Sequence, residues 1–178
     1  MNISIRIEIV DDYEITDKVV KSAFANMEFS DKKEHILVSR IRKSDEFIPE
    51  LSLVAIDEDN QEIVGHILLS KININNDHQS AESLALAPVS VLPNYQNKGI
   101  GKLMIYDALQ KAKKLGYTSV VVLGHPEYYP KFGFKKASIW GIKAPFEVPD
   151  EVFMAIELSE NSLVRVSGLV EYSSVFFE

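Results

Sequence analysis

Residues 96–101 (Q-N-K-G-I-G) have the composition of a phosphate-binding loop and lie between an apolar run and an amphipathic one. The apolar run stops at Pro93, and the amphipathic segment continues to Leu115. The first N–H groups of a helix have no partner within it, and the helix dipole adds partial positive charge there. Glycines let a ligand approach the backbone closely. A strand, a glycine loop and a helix in this order therefore predict a site for a phosphate-bearing ligand.

Two common nucleotide-binding motifs do not fit these glycines. A Walker A loop needs a glycine where Gln96 stands and a Ser or Thr where Leu103 follows Lys102. A dinucleotide fingerprint needs a third glycine where Met104 stands, and an acidic residue after the next strand, 120–123, which has none. The loop indicates another pyrophosphate-bearing ligand, or else a plain helix start in which the two glycines serve packing.

A second candidate for chemistry is Tyr129, which precedes the pair Gly133 and Phe134 by four residues. An ordinary tyrosine has a pKa of about 10, so at neutral pH it keeps its proton and can donate it to a leaving group. The alternative is that Tyr128 and Tyr129 are both packing aromatics whose hydroxyls bond to the backbone.

The V-L-P end of the strand, the Q-x-x-G-x-G loop and the tyrosine before Gly-Phe together resemble the acyl-CoA site of the GCN5-related N-acetyltransferases (GNAT). The YhbS-type branch is similar to this chain also in 124–129 (G-H-P-E-Y-Y) with 132–134 (F-G-F), in 154–158 (M-A-I-E-L) and in the tail 167–176. The resemblance covers residues 84–177. It implies that loop amides hold the CoA pyrophosphate, that strand backbone holds the pantetheine, and that Tyr129 is the general acid. The cofactor-binding residues that it implies are Val89, Ser90, Val91, Gln96, Asn97, Lys98, Gly99, Ile100, Gly101 and Lys102.

The same resemblance implies direct transfer of an acetyl group from acetyl-CoA to a primary amine. A backbone N–H within 89–91 would stabilise the oxyanion. No motif marks the base that deprotonates the amine. We take Glu82, on the strand approaching the site, as the candidate base, with His125, Glu127 and His66 as alternatives. Many family members carry an asparagine shortly before the tyrosine; here His125 or Glu127 stands in that region.

Composition limits the possible functions. The chain has 178 residues, 46% of them hydrophobic and 25% charged, which predicts one domain over residues 1–178 with a substantial core. There are no cysteines, so disulfides, thiolate metal sites and a cysteine nucleophile are excluded. A net charge of −7 argues against nonspecific nucleic-acid binding. No run approaches the roughly 20 apolar residues of a membrane span, and no cluster has metal-ligand spacing. We therefore expect a cytoplasmic protein without a metal.

Hydrophobic periodicity predicts a mixed α/β domain. Asp31 and Glu34 have the spacing of a capping box for the second helix. Gly65 indicates a bulge or a close backbone approach. The predicted helices are 14–25, 32–42 and 97–115, and the predicted strands are 2–10, 51–56, 63–74, 81–92, 119–123, 134–139, 152–158 and a strand-like tail, 164–177. This order implies antiparallel hairpin strands early in the chain and one parallel crossover in the middle. The GNAT resemblance implies a single layer of mostly antiparallel strands with that crossover and with helices on both faces.

The sequence leaves the acceptor open. A small-molecule amine and a peptide amine both remain candidates, as do a monomer and a homodimer joined through the strand-like tail. The rival function is a non-catalytic acyl-CoA-binding module, which would use the same loop and release no CoA. Loops carry acceptor specificity with little sequence pattern, so no motif chooses between these amines.

Overall fold

A computed structural model describes all residues, 1–178, as three helices and nine strands. The helices are α1 (Tyr13–Phe24), α2 (Glu34–Arg42) and α3 (Ile100–Lys114). The strands are β1 (Ile3–Ile7), β2 (Ser52–Asp57), β3 (Glu62–Asn75), β4 (Ser80–Val91), β5 (Ser119–Leu123), β6 (Lys135–Lys136), β7 (Ile142–Lys143), β8 (Phe153–Glu157) and β9 (Gly168–Glu171).

All nine strands belong to one sheet, whose main order is β1-β2-β3-β4-β5-β8-β6. Neighbours on this path pair antiparallel except β4 and β5, which are parallel and joined by α3. The short strands β7 and β9 pair parallel to each other, and β9 pairs antiparallel with the end of β3. The predicted fold, mostly antiparallel with one parallel crossover, is confirmed.

The alternation of side chains along β4 divides the core between the two faces of the sheet. Leu84 and Leu86 belong to the largest apolar cluster, together with Met104 and Ala108 of α3. Ala85 lies between them in sequence and belongs to a separate cluster on the other side. One face of the sheet is therefore covered by α3, and the other by the remaining helices and the C-terminal segments.

The helices α1 and α2 pack on the face opposite α3. Val20 of α1 and Val38 and Ile41 of α2 are fully buried against Leu68 of β3. Each helix presents a single apolar stripe to the sheet, as its sequence period predicts. The longest helix, α3, has 15 residues, and no helix combines the length and apolarity that crossing a bilayer requires.

The hairpin of β2 and β3 shows why Gly65 is a glycine. The register shifts beside it, so that Val64 is the extra residue of a β-bulge. A β-carbon at Gly65 would stand 3.0 Å from Cε of Met104 and 3.1 Å from the carbonyl oxygen of Ser90. Both parts of the prediction, bulge and close backbone approach, are confirmed.

The predicted capping box of α2 is wrong. The helix begins at Glu34, and no side chain caps its first turn. Asp31 Oδ1 instead accepts from the backbone N–H of Lys33 at 2.8 Å, and Glu34 accepts from the hydroxyl of Ser30. Asp31 therefore forms a turn just before the helix, a competing use of the short carboxylate that sequence spacing does not distinguish.

The C-terminal third is less regular than predicted. The strand expected at 134–139 is only Lys135–Lys136, because the chain then turns through residues Ala137–Trp140 to Gly141, which has a left-handed φ of 72°. The strand-like tail forms β9 and then a short 3-10 turn, Ser174–Phe177. Since β9 pairs with β3 of its own chain, that stretch of the tail is used within the chain rather than held free for another subunit.

Candidate active site

The parallel strands β4 and β5 separate from each other beyond one paired position. Their pairing is confined to Ala85 and Val121. Further along, the N–H of Leu92 donates to the carbonyl of Val64 on β3. Because N–H groups alternate between the two sides of a strand, those of Val89 and Val91 point the other way, into the gap. The gap therefore offers two main-chain donors that β5 does not use.

The glycine loop ends in an uncapped helix. Gly99 has a φ of 84°, in the left-handed region, and no side chain caps the start of α3. The first helical hydrogen bond runs from the N–H of Leu103 to the carbonyl of Gly99 at 3.1 Å. The N–H groups of Ile100, Gly101 and Lys102 consequently have no carbonyl partner within the helix. Three converging amides at a positive dipole end suit an anion such as pyrophosphate.

Gln96 fixes this loop to the end of β4, since its side-chain Nε2 donates to the carbonyl of Val91 at 2.9 Å. The loop and the gap open into one cavity of about 570 Å³, within the usual range for small-molecule sites. Eight of the ten sequence-predicted cofactor residues line it, namely Val89, Val91, Gln96, Asn97, Gly99, Ile100, Gly101 and Lys102.

The other two predicted cofactor residues lie outside this cavity. Ser90 is buried and pairs across the strands with His66, so its side chain faces away from α3. The Lys98 ammonium lies 5.7 Å from the ring centre of Tyr95 and lines a neighbouring groove instead. Neither residue therefore lines the cavity.

Tyr129 and Tyr128 both line the cavity, with their ring centres 5.2 Å apart and nearly perpendicular. Burial raises the pKa of Tyr129 to about 12, so the phenol stays protonated across the physiological range. A β-carbon at Gly124 would overlap the Tyr129 ring, which explains a glycine directly after β5. A β-carbon at Gly101 would stand 3.5 Å from the Tyr128 hydroxyl, so that hydroxyl faces the start of α3.

The structure does not bring Glu82 to this cavity. Glu82 is exposed at the start of β4, seven residues before Val89, which corresponds to about 23 Å at the rise of a strand. Its charge contributes to raising the pKa of Tyr117, beyond the far end of α3, although burial is the larger cause. Glu82 is thus close to the motif in sequence but far from the cavity along the strand.

The alternative bases differ in their access to the cavity. His125 is exposed and lines it, whereas Glu127 is exposed and does not. His66 is fully buried beneath α1 and α2, with Nε2 2.9 Å from the hydroxyl of Ser52. Burial lowers the pKa of His66 to about 4, so it remains neutral, and it has no path to an amine in the cavity.

Four lining residues were missed at the sequence level, namely Met27, Tyr95, Gly124 and Tyr128. Met27, in the connection between α1 and α2, is 41% exposed and reaches the cavity from the far end of the chain. Tyr128 was considered only as a packing neighbour of Tyr129. The sequence could have indicated Tyr128, because it stands directly beside Tyr129. Nothing in the sequence around Met27 distinguishes it from any other loop residue.

A glycine loop on an uncapped helix, free strand amides and a partly buried phenol thus meet in one cavity, and comparison with known proteins shows the family. The model of the acetyltransferase (GNAT) family matches residues 17–134. This chain therefore belongs to the GNAT family of N-acetyltransferases, and the sequence-based assignment to an acyltransferase is confirmed.

Three relatives cover much or all of the chain. The uncharacterized N-acetyltransferase YhbS of Escherichia coli (strain K12) is 29% identical over 172 residues, which are 97% of each chain. YjhQ of the same organism, also named an uncharacterized N-acetyltransferase, is 35% identical over 143 residues and 78% of each chain. The crystal structure of E. coli YhbS in complex with CoA has a TM-score of 0.88 at 26% identity, covering 100% of this chain and 93% of that one. A GNAT acetyltransferase from Brucella melitensis in complex with acetyl-CoA has a TM-score of 0.79 at 29% identity, covering 98% of both.

Proposed function

We propose that this protein transfers the acetyl group of acetyl-CoA directly to a primary amine. The observation that carries the proposal is a single cavity that joins the free amides at the start of α3 to the protonated phenol of Tyr129. Relatives that bind CoA or acetyl-CoA with the same fold support the cosubstrate.

Main-chain groups hold the cosubstrate at two places, its pyrophosphate and its pantetheine arm. The pyrophosphate accepts hydrogen bonds from the N–H groups of Ile100, Gly101 and Lys102, with the Lys102 ammonium nearby. The pantetheine arm lies along the open edge of β4 and takes the place of the strand that β5 does not supply. Backbone donors are rigid, so they hold the thioester in one position at little entropic cost.

In the chemical step the amine nitrogen forms a bond to the thioester carbon, and the C–S bond then breaks. The N–H of Val89 or Val91 stabilises the negative charge that develops on the carbonyl oxygen. The electron pair of the C–S bond leaves on sulfur, which takes the phenolic proton of Tyr129. Tyr129 recovers a proton from solvent, and the amine loses one.

The cavity offers one candidate for removing the proton of the amine. His125 is the only imidazole or carboxylate among the cavity-lining side chains, and an imidazole nitrogen can act as a general base. We assign to it, directly or through water, the removal of that proton. Glu82, the base expected from the sequence, lies too far along β4 to serve.

The test is calorimetric titration with acetyl-CoA, followed by a screen of primary amines that measures release of the CoA thiol. Binding together with thiol release by at least one amine supports the enzyme. Binding without release by any amine would instead identify the acyl-CoA-binding module. Absence of binding at millimolar acetyl-CoA, or equally tight binding of other pyrophosphate nucleotides in competition, would overturn the proposed ligand.

His125→Ala provides a narrower test. A general base contributes about 10²- to 10⁴-fold, so the variant should lose that factor at neutral pH and recover part of it as the pH approaches the pKa of the amine. Glu82→Ala is the matched control and should leave turnover unchanged. A loss in Glu82→Ala with none in His125→Ala would reverse the assignment.

A further inference from the structure

A second cavity, which we call the tail pocket, lies on the other side of the gap between β4 and β5. It has a volume of about 280 Å³, and all eleven residues that line it are hydrophobic. Its walls come from β4 and β5 on one side and from the C-terminal tail on the other, with Tyr172 and Phe176 among them.

We call the cavity of about 570 Å³ described above the CoA cavity. The tail pocket meets the CoA cavity where the thioester of the bound cosubstrate would lie. Ala87 lines the tail pocket and Val89, two residues later, lines the CoA cavity. Likewise Leu123 lines the tail pocket and the adjacent Gly124 lines the CoA cavity. Since Ala85 packs with the C-terminal cluster rather than with α3, the two cavities lie on opposite faces of the sheet. A group in the tail pocket is thus directed toward the gap in which the acetyl carbon would lie.

Aromatic rings form the outer wall of the tail pocket. Tyr172 stacks on Phe146 with ring centres 6.0 Å apart and planes at 20°, and its ring centre is 5.1 Å from that of Phe176. Phe177, at the rim, is 65% exposed and Phe146 is 38% exposed. Large apolar side chains left partly in water around a concave site are typical of a surface that a ligand covers.

No charged side chain lines the tail pocket. The adjoining groove has five charged side chains, Asp31, Lys33, Glu34, Arg40 and Glu178, of which Arg40 and Glu178 lie 3.7 Å apart and pair with each other. Within the tail pocket itself, a second ammonium group of a polyamine, or the hydroxyls of an amino sugar, would lose water and find no charged partner, which is costly. A cavity of about 150 Å³ with similar walls holds benzene, so this one has room for a ring on a short alkyl chain.

We propose that the tail pocket selects the acceptor, and that the acceptor is a primary amine carrying an aromatic or branched aliphatic group. The apolar group fills the tail pocket while the amine faces the gap. This inference rests on the proposed acetyl transfer for its biological meaning, but the pocket can be tested independently, because binding of an amine does not require chemistry.

The first experiment measures the affinity of phenethylamine, ethanolamine and putrescine for the protein, both free and saturated with CoA. Burying one phenyl group is worth about tenfold to a hundredfold in affinity, so phenethylamine should bind tighter by that factor. Equal affinities for the three amines would overturn the inference. Failure of CoA to bind would instead count against the proposed function, and the CoA-free titrations would still decide the pocket.

The second experiment places a charge at the rim. Phe177→Asp should weaken phenethylamine binding about tenfold or more and leave CoA affinity unchanged; because residue 177 is exposed, the fold tolerates the change. Phe29→Asp is the matched control, since Phe29 is fully exposed and does not line the tail pocket. An equal loss in both variants would contradict the inference.

The third experiment tests whether the tail pocket binds the acyl chain of the donor rather than the apolar group of the acceptor. Thiol release is compared for acetyl-CoA with phenethylamine and for octanoyl-CoA with ethanolamine. Preference for phenethylamine, lost in Phe177→Asp, supports the acceptor. Preference for octanoyl-CoA, lost in the same variant, would assign the tail pocket to the acyl donor and overturn the proposal.

Discussion

The two cavities on either side of the β4–β5 gap are built in opposite ways. The CoA cavity takes most of its functional groups from main chain, and its central loop and helix start are contiguous in sequence at 96–102. The tail pocket is lined by hydrophobic residues throughout, from α2, β4, β5 and the C-terminal segment. The first arrangement suits binding by directed hydrogen bonds, and the second suits binding by exclusion of water.

This difference indicates how the two sites can change. A main-chain cradle needs only glycines and a helix start, so it can persist while most side chains vary. A pocket made of side chains changes its ligand with each substitution. On the proposed assignment the donor site is the constant one and the acceptor site is the adaptable one, with the separated strands as their common boundary.

The largest expected effect concerns Tyr129, the proposed proton donor of the CoA cavity. Tyr129→Phe should lower turnover about 10²- to 10⁴-fold with CoA affinity unchanged, because only the proton donor is removed. Tyr128→Phe is the matched control, since its hydroxyl faces the start of α3. Thiol-release kinetics measures both. A larger loss in Tyr128→Phe than in Tyr129→Phe would exchange their roles.

A smaller effect is expected from two glycines that the main-chain cradle uses differently. A β-carbon at Gly101 meets nothing closer than 3.5 Å, so Gly101→Ala should keep its stability but weaken CoA binding about tenfold to a hundredfold, as lost hydrogen bonds to a charged group would. Gly99 has open space but a positive φ, so Gly99→Ala should lose about 1–2 kcal/mol of stability. Thermal unfolding and calorimetry separate the two. If CoA affinity is reduced in neither variant, the result argues against a main-chain cradle for the pyrophosphate.

Salt should distinguish the two cavities by a few-fold. Raising NaCl from 50 to 500 mM should weaken CoA binding about threefold or more, because the phosphates are screened from the helix start and Lys102. Binding of phenethylamine through its ring should change less, since burial of apolar surface does not depend on charge. Parallel titrations at the two salt concentrations measure this. An equal loss of affinity for CoA and for phenethylamine would contradict the proposed difference between the two cavities.

The smallest expected effect is a rate that does not fall at high pH. Because burial raises the pKa of Tyr129 to about 12, only a few per cent of the phenol ionises at pH 10.5. The rate per unit of free-base amine should therefore drop less than twofold between pH 9 and 10.5. With an ordinary pKa of about 10 it would drop about fourfold. A midpoint below pH 10.5 would contradict the raised pKa of Tyr129.

Much of the CoA site was predictable because its residues are neighbours in sequence. The strand end, the glycines and the helix start of α3 follow from local rules of backbone geometry, and the Tyr129 spacing to Gly133 added the second motif. Ser90 and Lys98 were included with their neighbours, yet their side chains lie outside the cavity. Local pattern predicts which stretch forms a site but not which side of the strand each residue faces after a bulge.

The candidate base shows where such reasoning ends. Glu82 is near the motif in sequence, but seven residues of extended strand carry it far from the cavity. His66 is far from the loop in sequence and lies opposite Ser90, yet the helices bury it on the wrong face. Distance from a site is set by strand pairing and by the face of the sheet, and neither is a local property.

The sequence by itself determined the family and the mixed α/β architecture and predicted the phosphate-binding loop, because helix starts, glycine conformations and hydrophobic periodicity act over a few residues. Only the tertiary structure decided that β4 and β5 part beside Val89, and that Phe146, Tyr172 and Phe176 close an apolar pocket on the far side. Those rings are up to 30 positions apart in the chain. They meet because β9 pairs back onto β3, a long-range contact that no local pattern specifies.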